Sequence, residues 1–272
     1  MQTESLIRLF FFVILLGGFA FLEYRQPRRP YATPRSRRWP ANLGLAALNI
    51  GCIYLVFPAA AIGAAMFAQS RGIGLWPMMM MDGQSELGGI ALWVGGILCI
   101  LILDLSIYAQ HVIFHKFDIL WRLHAAHHAD GDMDVTTGLR FHPLEALISM
   151  GFKMGVILLI GAPVAAVVIF EILLNGGALF SHSNLRLPAA LDRVLRLVIV
   201  TPDMHRVHHS VHQREHNSNF GFFIAFWDRA FKTYTPQPKD GHDAMEIGLK
   251  NRQGAARYGL IALLMSPFKR PS

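Results

Sequence analysis

The stretch GGIALWVGGILCILILDLSIYAQHVIFH (residues 88–115) changes character along its length. Up to Tyr108 it holds one charged residue, Asp104, in a run that is otherwise mostly apolar. That is enough for a spanning helix, which needs about 20 such residues to cross the hydrocarbon. The stretch then ends in His111 and His115, spaced i, i+4 and so on one helix face. A helix leaving the bilayer thus delivers two imidazoles to the membrane surface.

Four other runs have the same apolar character. LIRLFFFVILLGGFAFLEY (6–24) is too long, and lacks the small-residue end, for a cleaved leader. LGLAALNIGCIYLVFPAAAIGAAMFA (43–68) carries Pro58, a kink that a membrane bundle tolerates. LEALISMGFKMGVILLIGA (144–162) and PVAAVVIFEILLNGGALFSH (163–182) form a helical hairpin turning at Gly161–Pro163. Charged residues are 16% of the chain, against about 25% in soluble domains. Hydrophobic residues are 53% and mean hydropathy is +0.36, so much of the surface meets lipid. The expected fold is an all-α integral membrane protein. A bundle of about four or five hydrophobic helices carries a cytoplasmic, histidine-rich helical cap. Residues 1–87 supply N-terminal transmembrane helices and a loop, 88–235 a histidine-bearing domain, and 236–272 a tail with a short interfacial helix at 258–268. Cys52 and Cys99 sit in apolar runs and read as packing residues. Met78 to Met81 are adjacent, which does not place their sulfurs on one face, so 69–87 reads as an interfacial loop rather than a copper site.

Net charge is +7, and QPRRPYATPRSRR (26–38), preceded by Arg25, holds five arginines. Flanked by two apolar runs, this is a cytoplasmic loop obeying the positive-inside rule rather than a nucleic-acid patch. The spans then place 111–143 and 182–256 on that same cytoplasmic side, with the N-terminus outside.

The chain holds thirteen histidines, and eight fall in three patterned groups. His111 and His115 close the span. HAAHH (124–128) and HRVHH (205–209) repeat His-x-x-His-His. Positions i, i+3 and i+4 share a helix face, so His124, His127 and His128 form one cluster and His205, His208 and His209 another. Asp118 is a candidate cap for the first helix, with Gly131 just past its end, and Thr201-Pro202-Asp203 begins the second. Neutral imidazole is a common metal ligand. Eight exceed the shell of one metal, so two metals at about four or five ligands each are expected, with open positions. No cysteine lies among the histidine motifs and HExxH is absent, which argues against structural zinc and zinc proteases. Nitrogen-rich, paired and open coordination suits two redox-active iron ions that activate O2. The competing reading is a haem- or metal-binding electron carrier or transporter. Haem ligation, however, needs two opposed histidines rather than triplets on single turns.

The ordered motifs H111VIFH115, H124AAHH128 and H205RVHH209 resemble the fatty acid hydroxylase/sterol desaturase superfamily of membrane di-iron oxygenases. LWRLHAAHH (120–128), DVTTGLRFHPLE (134–145), FSHSNLRLP (180–188), TPDMHRVHHS (201–210) and NSNFGFFIAFWDRAFKTY (217–234) resemble its bacterial sterol-desaturase-like branch. The resemblance implies hydroxylation or desaturation of a lipid C–H bond, a bacterial inner-membrane location, and additional ligands at His142 and His182. His212, His216 and His242 are expected to be solvated or to sit behind the ligands. Lys232 stands where the resemblance leads one to expect glycine. Asp104, Asn175 and Asn184 are candidates to support the ligands from behind, and Asp104 alternatively to line the substrate channel. No flavin, Rossmann or iron–sulfur motif is present, so electrons are expected from a separate transfer protein, with no nucleic-acid partner.

Overall fold

The computed structural model describes residues 2–80, 88–250 and 259–269. Ten helices carry the architecture: α1 (Gln2–Arg25), α2 (Arg35–Val56), α3 (Ala60–Arg71), α4 (Leu75–Met80), α5 (Gly88–Lys116), α6 (Asp118–His128), α7 (Pro143–Ile160), α8 (Val164–His182), α9 (Ala189–Leu195) and α10 (Pro202–His208). Short turns of helix follow at 213–216, 226–230, 241–244 and 260–265. Among the described residues there is no strand beyond isolated backbone pairings. Among the described residues, five segments are long and apolar enough to cross a membrane: Thr3–Arg25, Arg35–Pro77, Trp93–Lys116, Pro143–Ile160 and Val164–His182. The protein is a multi-pass, all-α membrane bundle.

The second span differs from the sequence expectation. It begins at Arg35, inside the arginine-rich stretch, and breaks at Phe57–Ala59. Pro58 has no N–H to continue the ladder, and Ala60 restarts the helix at φ 44°. Of the expected loop at 69–87, residues 75–80 are helical and 81–87, with Met81, lie outside the described residues. The hairpin turns where its glycine and prolines require it. α7 ends at Gly161 with φ 67°, a left-handed cap that glycine adopts without strain. A Cβ on Gly74 would fall 2.2 Å from the Gly161 nitrogen, so this turn rests on the one after α3.

Small residues let these helices approach closely, as membrane interfaces favour. Ala61, Ala64 and Ala65 of α3 meet Ile157 and Ile160 of α7, Val167 and Phe170 of α8, and Cys99, Leu103 and Ile107 of α5 in one buried cluster. α1 packs outside, on α8. Arg8 of α1 lies 2.8 Å from Glu171 of α8, which also holds Lys153 of α7 at 2.5 Å.

The arginine-rich stretch is a clamp as well as a charge signal. Arg38 is fully buried, donating to Asp130 at 2.8 and 2.9 Å and to Asp134 at 2.7 Å. Arg35 holds Glu23 at 2.7 Å, Arg28 reaches Asp203 at 3.3 Å, and Arg29 donates to the Met245 carbonyl at 2.8 Å. These contacts put 25–42, 111–143 and 182–250 on one side of the bundle, above the cap-side ends of α1, α5 and α8. The helix at 260–265 covers α2 through Leu263, which is buried, while Ile261 is exposed. Residues 251–258, which include the start of the expected interfacial helix, lie outside the described residues.

Candidate metal centre

α5 is 29 residues long, about 44 Å at 1.5 Å per residue, and so outruns the roughly 30 Å hydrocarbon core. Its surplus turns carry His111 and His115 into the cap. α6 starts two residues after α5 ends and lays His124, His127 and His128 beneath a buried face. Its N-cap is Phe117, with no side-chain capping bond, so Asp118 is the first helical residue and not the cap. Ala129, in the right-handed region, is its C-cap, and Gly131 lies just beyond, as expected. α10 begins as its sequence reads, with Thr201 Oγ1 accepting from Met204 N at 3.4 Å and Pro202 in the first turn. It carries His205 and His208, with His209 as its C-cap. His182 closes α8.

These nine imidazoles converge as two groups. His111, His115, His124, His128 and His208 form one; His127, His182, His205 and His209 form the other. Within each, one ring nitrogen per residue lies within 4.8 Å of all the rest. Each group draws on at least three separate segments, so neither exists before the cap has closed on the spans. The nitrogens face each other rather than protein partners. Nε2 of His111 and His124 are 3.1 Å apart, and Nε2 of His182 lies 3.0 Å from both His127 and His205. His115, His128 and His209 have both ring nitrogens buried with no partner. A buried polar atom left unmade costs about 1–3 kcal/mol. Burial, reinforced by neighbouring histidines, holds His127, His128, His205, His208 and His209 well below the ordinary imidazole value, and burial pushes His124 down to about 3. Neutral, desolvated, convergent imidazoles are the form a metal binds, so the donor set fits two cations.

A ligating histidine is oriented by what its other nitrogen touches. Nδ1 of His111 donates to Phe220 O, that of His182 to Ala178 O and that of His208 to Ser218 O, each at 2.7 Å. Nδ1 of His124 donates to Glu145 Oε1 at 2.6 Å. In each case Nε2 is the nitrogen left to ligate. Phe141 stacks on His127, ring centroids 4.5 Å apart.

His142, expected as a tenth ligand, joins neither group. Its Nδ1 caps α7 by accepting from Leu144 N at 3.2 Å, and its Nε2 lies 3.1 Å from the Leu264 carbonyl, so both nitrogens are engaged. A histidine preceding a helix-opening proline is placed to cap that helix rather than to reach across the cap. His216, expected to be solvated or behind the ligands, is half-buried against the five-membered group. Its ring centroid is 4.8 Å from His128, 4.9 Å from His115 and 4.5 Å from Trp121. His242 is buried, 3.8 Å from Asp203, and His212 pairs with Asp240 at 2.6 Å.

None of the three carboxylate or amide candidates touches a histidine of either group. Asn175 donates to the Glu171 carbonyl of its own helix at 2.7 Å. Asn184 brackets Arg29, accepting from its N–H at 3.1 Å and donating to its carbonyl at 2.8 Å. Asp104 accepts from Trp227 Nε1 at 2.8 Å and Ile224 N at 3.4 Å. Asp228, next to Trp227, accepts from Phe220 N at 2.7 Å and Gly221 N at 2.8 Å, and burial raises its carboxyl to about 6. Phe220 in turn holds His111. The supporting residue that sequence reasoning missed is Glu145. Its signal was a carboxylate opening an apolar span, a costly place without a partner. Lys232 adopts φ 60°, the left-handed conformation that glycine takes freely, which is why glycine suits that position.

The fatty acid hydroxylase family model matches residues 96–233. Ornithine lipid hydroxylase OlsE of Rhizobium tropici is 29% identical over 215 residues, which is 79% of this chain and 59% of that protein. Alkylglycerol monooxygenase of Danio rerio is 29% identical over 166 residues, 61% of this chain and 35% of that protein. Cholesterol 25-hydroxylase of Homo sapiens is 25% identical over 137 residues, 50% of this chain and 49% of that protein. The chain thus spans less than two thirds of the length of these relatives. No solved structure matches. With three ordered histidine motifs converging in two groups inside the matched segment, the chain belongs to the fatty acid hydroxylase family.

Proposed function

We propose that this protein is a membrane lipid oxygenase in which the nine convergent histidines hold two iron ions, and that it hydroxylates or desaturates a lipid C–H bond with O2 and an external electron donor. One observation carries the reading: nine imidazoles, eight of them buried and His115 half-buried, gather in two groups at the cap-side ends of the spans, where a lipid chain and a metal can meet. The relatives support it, being lipid hydroxylases and monooxygenases by name.

The chain's own residues do defined work. His111, His115, His124, His128 and His208 would hold one iron, and His127, His182, His205 and His209 the other. Bound there, iron would supply the oxygen activation and hydrogen abstraction that no side chain performs. Glu145 and the carbonyls of Phe220, Ala178 and Ser218 fix ring orientation. The aromatic rings of Phe141, Phe220 and Phe222 pack against the histidines and exclude water from the site. The arginine-rich 25–38 segment supports a cytoplasmic cap, where a soluble donor protein has access.

The test is metal and product together. Protein purified in detergent should carry close to two non-haem irons per chain and no Soret band. Lipid extracts from cells with and without the gene should differ by a hydroxylated or desaturated species in mass spectrometry. A Soret band, or full iron with unchanged lipids, overturns the reading.

A further inference from the structure

The cap exposes large apolar side chains that neither the bundle nor the metal groups use. Leu191, Val194, Leu197 and Val198, at and just after α9, are 45–65% exposed. Phe226 and Phe231 are 56% and 55% exposed. Backbone bonds join the two segments: Val200 N donates to Phe223 O and Ala225 N to Val198 O, both at 2.9 Å. The six side chains therefore belong to one folded unit. The polar side of this unit faces the cap. Arg196 is buried, bonded to Asp192 and the Pro236 carbonyl, and Arg229 covers the Tyr234 ring at 4.3 Å.

The level of the unit is set by α5. Trp227 donates to Asp104, and Phe231 stacks on Tyr108 with centroids 5.4 Å apart. Asp104 lies twelve residues before the end of α5, about 18 Å along its axis at 1.5 Å per residue. On the uncovered side of α5, Ile102 and Ile113 are 43% and 40% exposed and bracket this level. The same stretch of the span thus bears lipid-facing isoleucines on one side and the 224–231 segment on the other. Exposed Arg193 and Lys232 flank the apolar face, as on surfaces that meet anionic headgroups.

We propose that residues 189–200 and 224–231 form a collar immersed in the cap-side leaflet, with the acyl chains and anionic headgroups of that leaflet as its binding partner. The collar fixes how deep the cap sits. Because Phe220 and Asp228 tie it to His111, it sets the height of the metal groups above the acyl chains. The proposal rests on the membrane placement of α5, not on the reaction.

Site-directed spin labelling of the full chain tests it. Cys52 and Cys99 are replaced by Ala, and single nitroxides are placed at Val194, Val198 and Phe226. The protein is held in nanodiscs of phosphatidylcholine and phosphatidylglycerol. Leu55, 79% exposed on α2, is the lipid reference, and Asp243, with its side chain 81% exposed, the aqueous one. Collar labels should relax with O2 and resist a water-soluble nickel chelate, as at Leu55. Nickel access equal to that at Asp243 overturns the proposal, and so does shielding from both agents, which would mean that a second copy of the chain covers the face. Bound metal equal to the parent's verifies folding, and Leu191 and Leu197 serve as label sites on the same face where a first choice fails.

Discussion

Glu145 Oε1 lies 2.6 Å from Nδ1 of His124, both side chains buried, with Glu145 on α7 and the histidine on α6. This bond fixes the ring and leaves His124 Nε2 directed toward His111. Removing such a partner costs about 10–100-fold in metal affinity. Glu145→Gln, which keeps an acceptor oxygen, should bind iron less tightly than the parent but better than Glu145→Ala. Chelator competition on the purified variants checks the order. Equal affinity for all three proteins would show that the bond does not matter to the metal.

The two histidine groups make separable demands. His208→Ala removes one donor from the group of five, and His127→Ala one from the group of four. The His127 variant should lose iron more completely, dropping toward one iron per chain, and both should lose turnover by at least about a hundredfold, the scale of losing a well-placed catalytic group. Iron analysis alongside lipid mass spectrometry reads both. Full loading and turnover in both variants would end the metal assignment.

Acid should release the metal in a defined window. His124 is held near 3, against 6.5 for a free imidazole, so its folded-state value is depressed. A depressed histidine leaves stability intact above about 6.5 and lowers it as pH falls below, because the unfolded chain takes up protons that the folded one refuses. His127, His128, His205, His208 and His209 share the direction. Metal-free protein should lose thermal stability steeply from about pH 6.5 downward, and loaded protein should release iron in the same direction. A flat melting temperature between pH 7 and 5 would contradict it.

Asp104 is bonded to the 220–231 segment through Trp227 and Ile224. Asp104→Asn keeps an acceptor for Trp227 and should retain most iron while lowering turnover. Asp104→Leu removes it and should lower both. If turnover per iron stays normal in the Leu variant, the bond serves only helix packing, worth about 0.6 kcal/mol.

Lys232 holds a left-handed backbone, at a cost of about 1–2 kcal/mol for a residue with a Cβ. Lys232→Gly should stabilise the protein, by about 1 kcal/mol or less once the added unfolded-state freedom of glycine is counted. A thermal melt in one detergent measures it, and a lowered midpoint would count against the strain.

Much of this was legible in the sequence, because lipid imposes strong rules. Spans need length and apolarity, and both are visible in 6–24, 88–115 and 144–182. The nine histidines that converge were legible as candidates because helical spacing puts eight of them on shared faces and the family resemblance adds His182. Pairwise geometry was not. Which imidazole joins which group depends on how α5, α6, α8 and α10 pack, and no periodicity encodes that. His142 misled for a local reason: its place before Pro143 makes it a cap, a role decided by a backbone N–H two residues on. Arg38 misled because a charge signal and a buried salt bridge look alike until Asp130 and Asp134 are placed beside it.

The Arg38–Asp130 tie has a consequence for exchange of parts. Arg38 lies outside the matched segment 96–233, and Asp130 inside it, two residues after His128. A graft of the histidine-bearing segment onto another protein's leading helices would leave Asp130 and Asp134 buried without their cation, and a stranded buried charge costs about 3–5 kcal/mol. The leading helices and the histidine segment are therefore one inheritable unit, and chimeras should succeed only when Arg38 travels with Asp130 and Asp134.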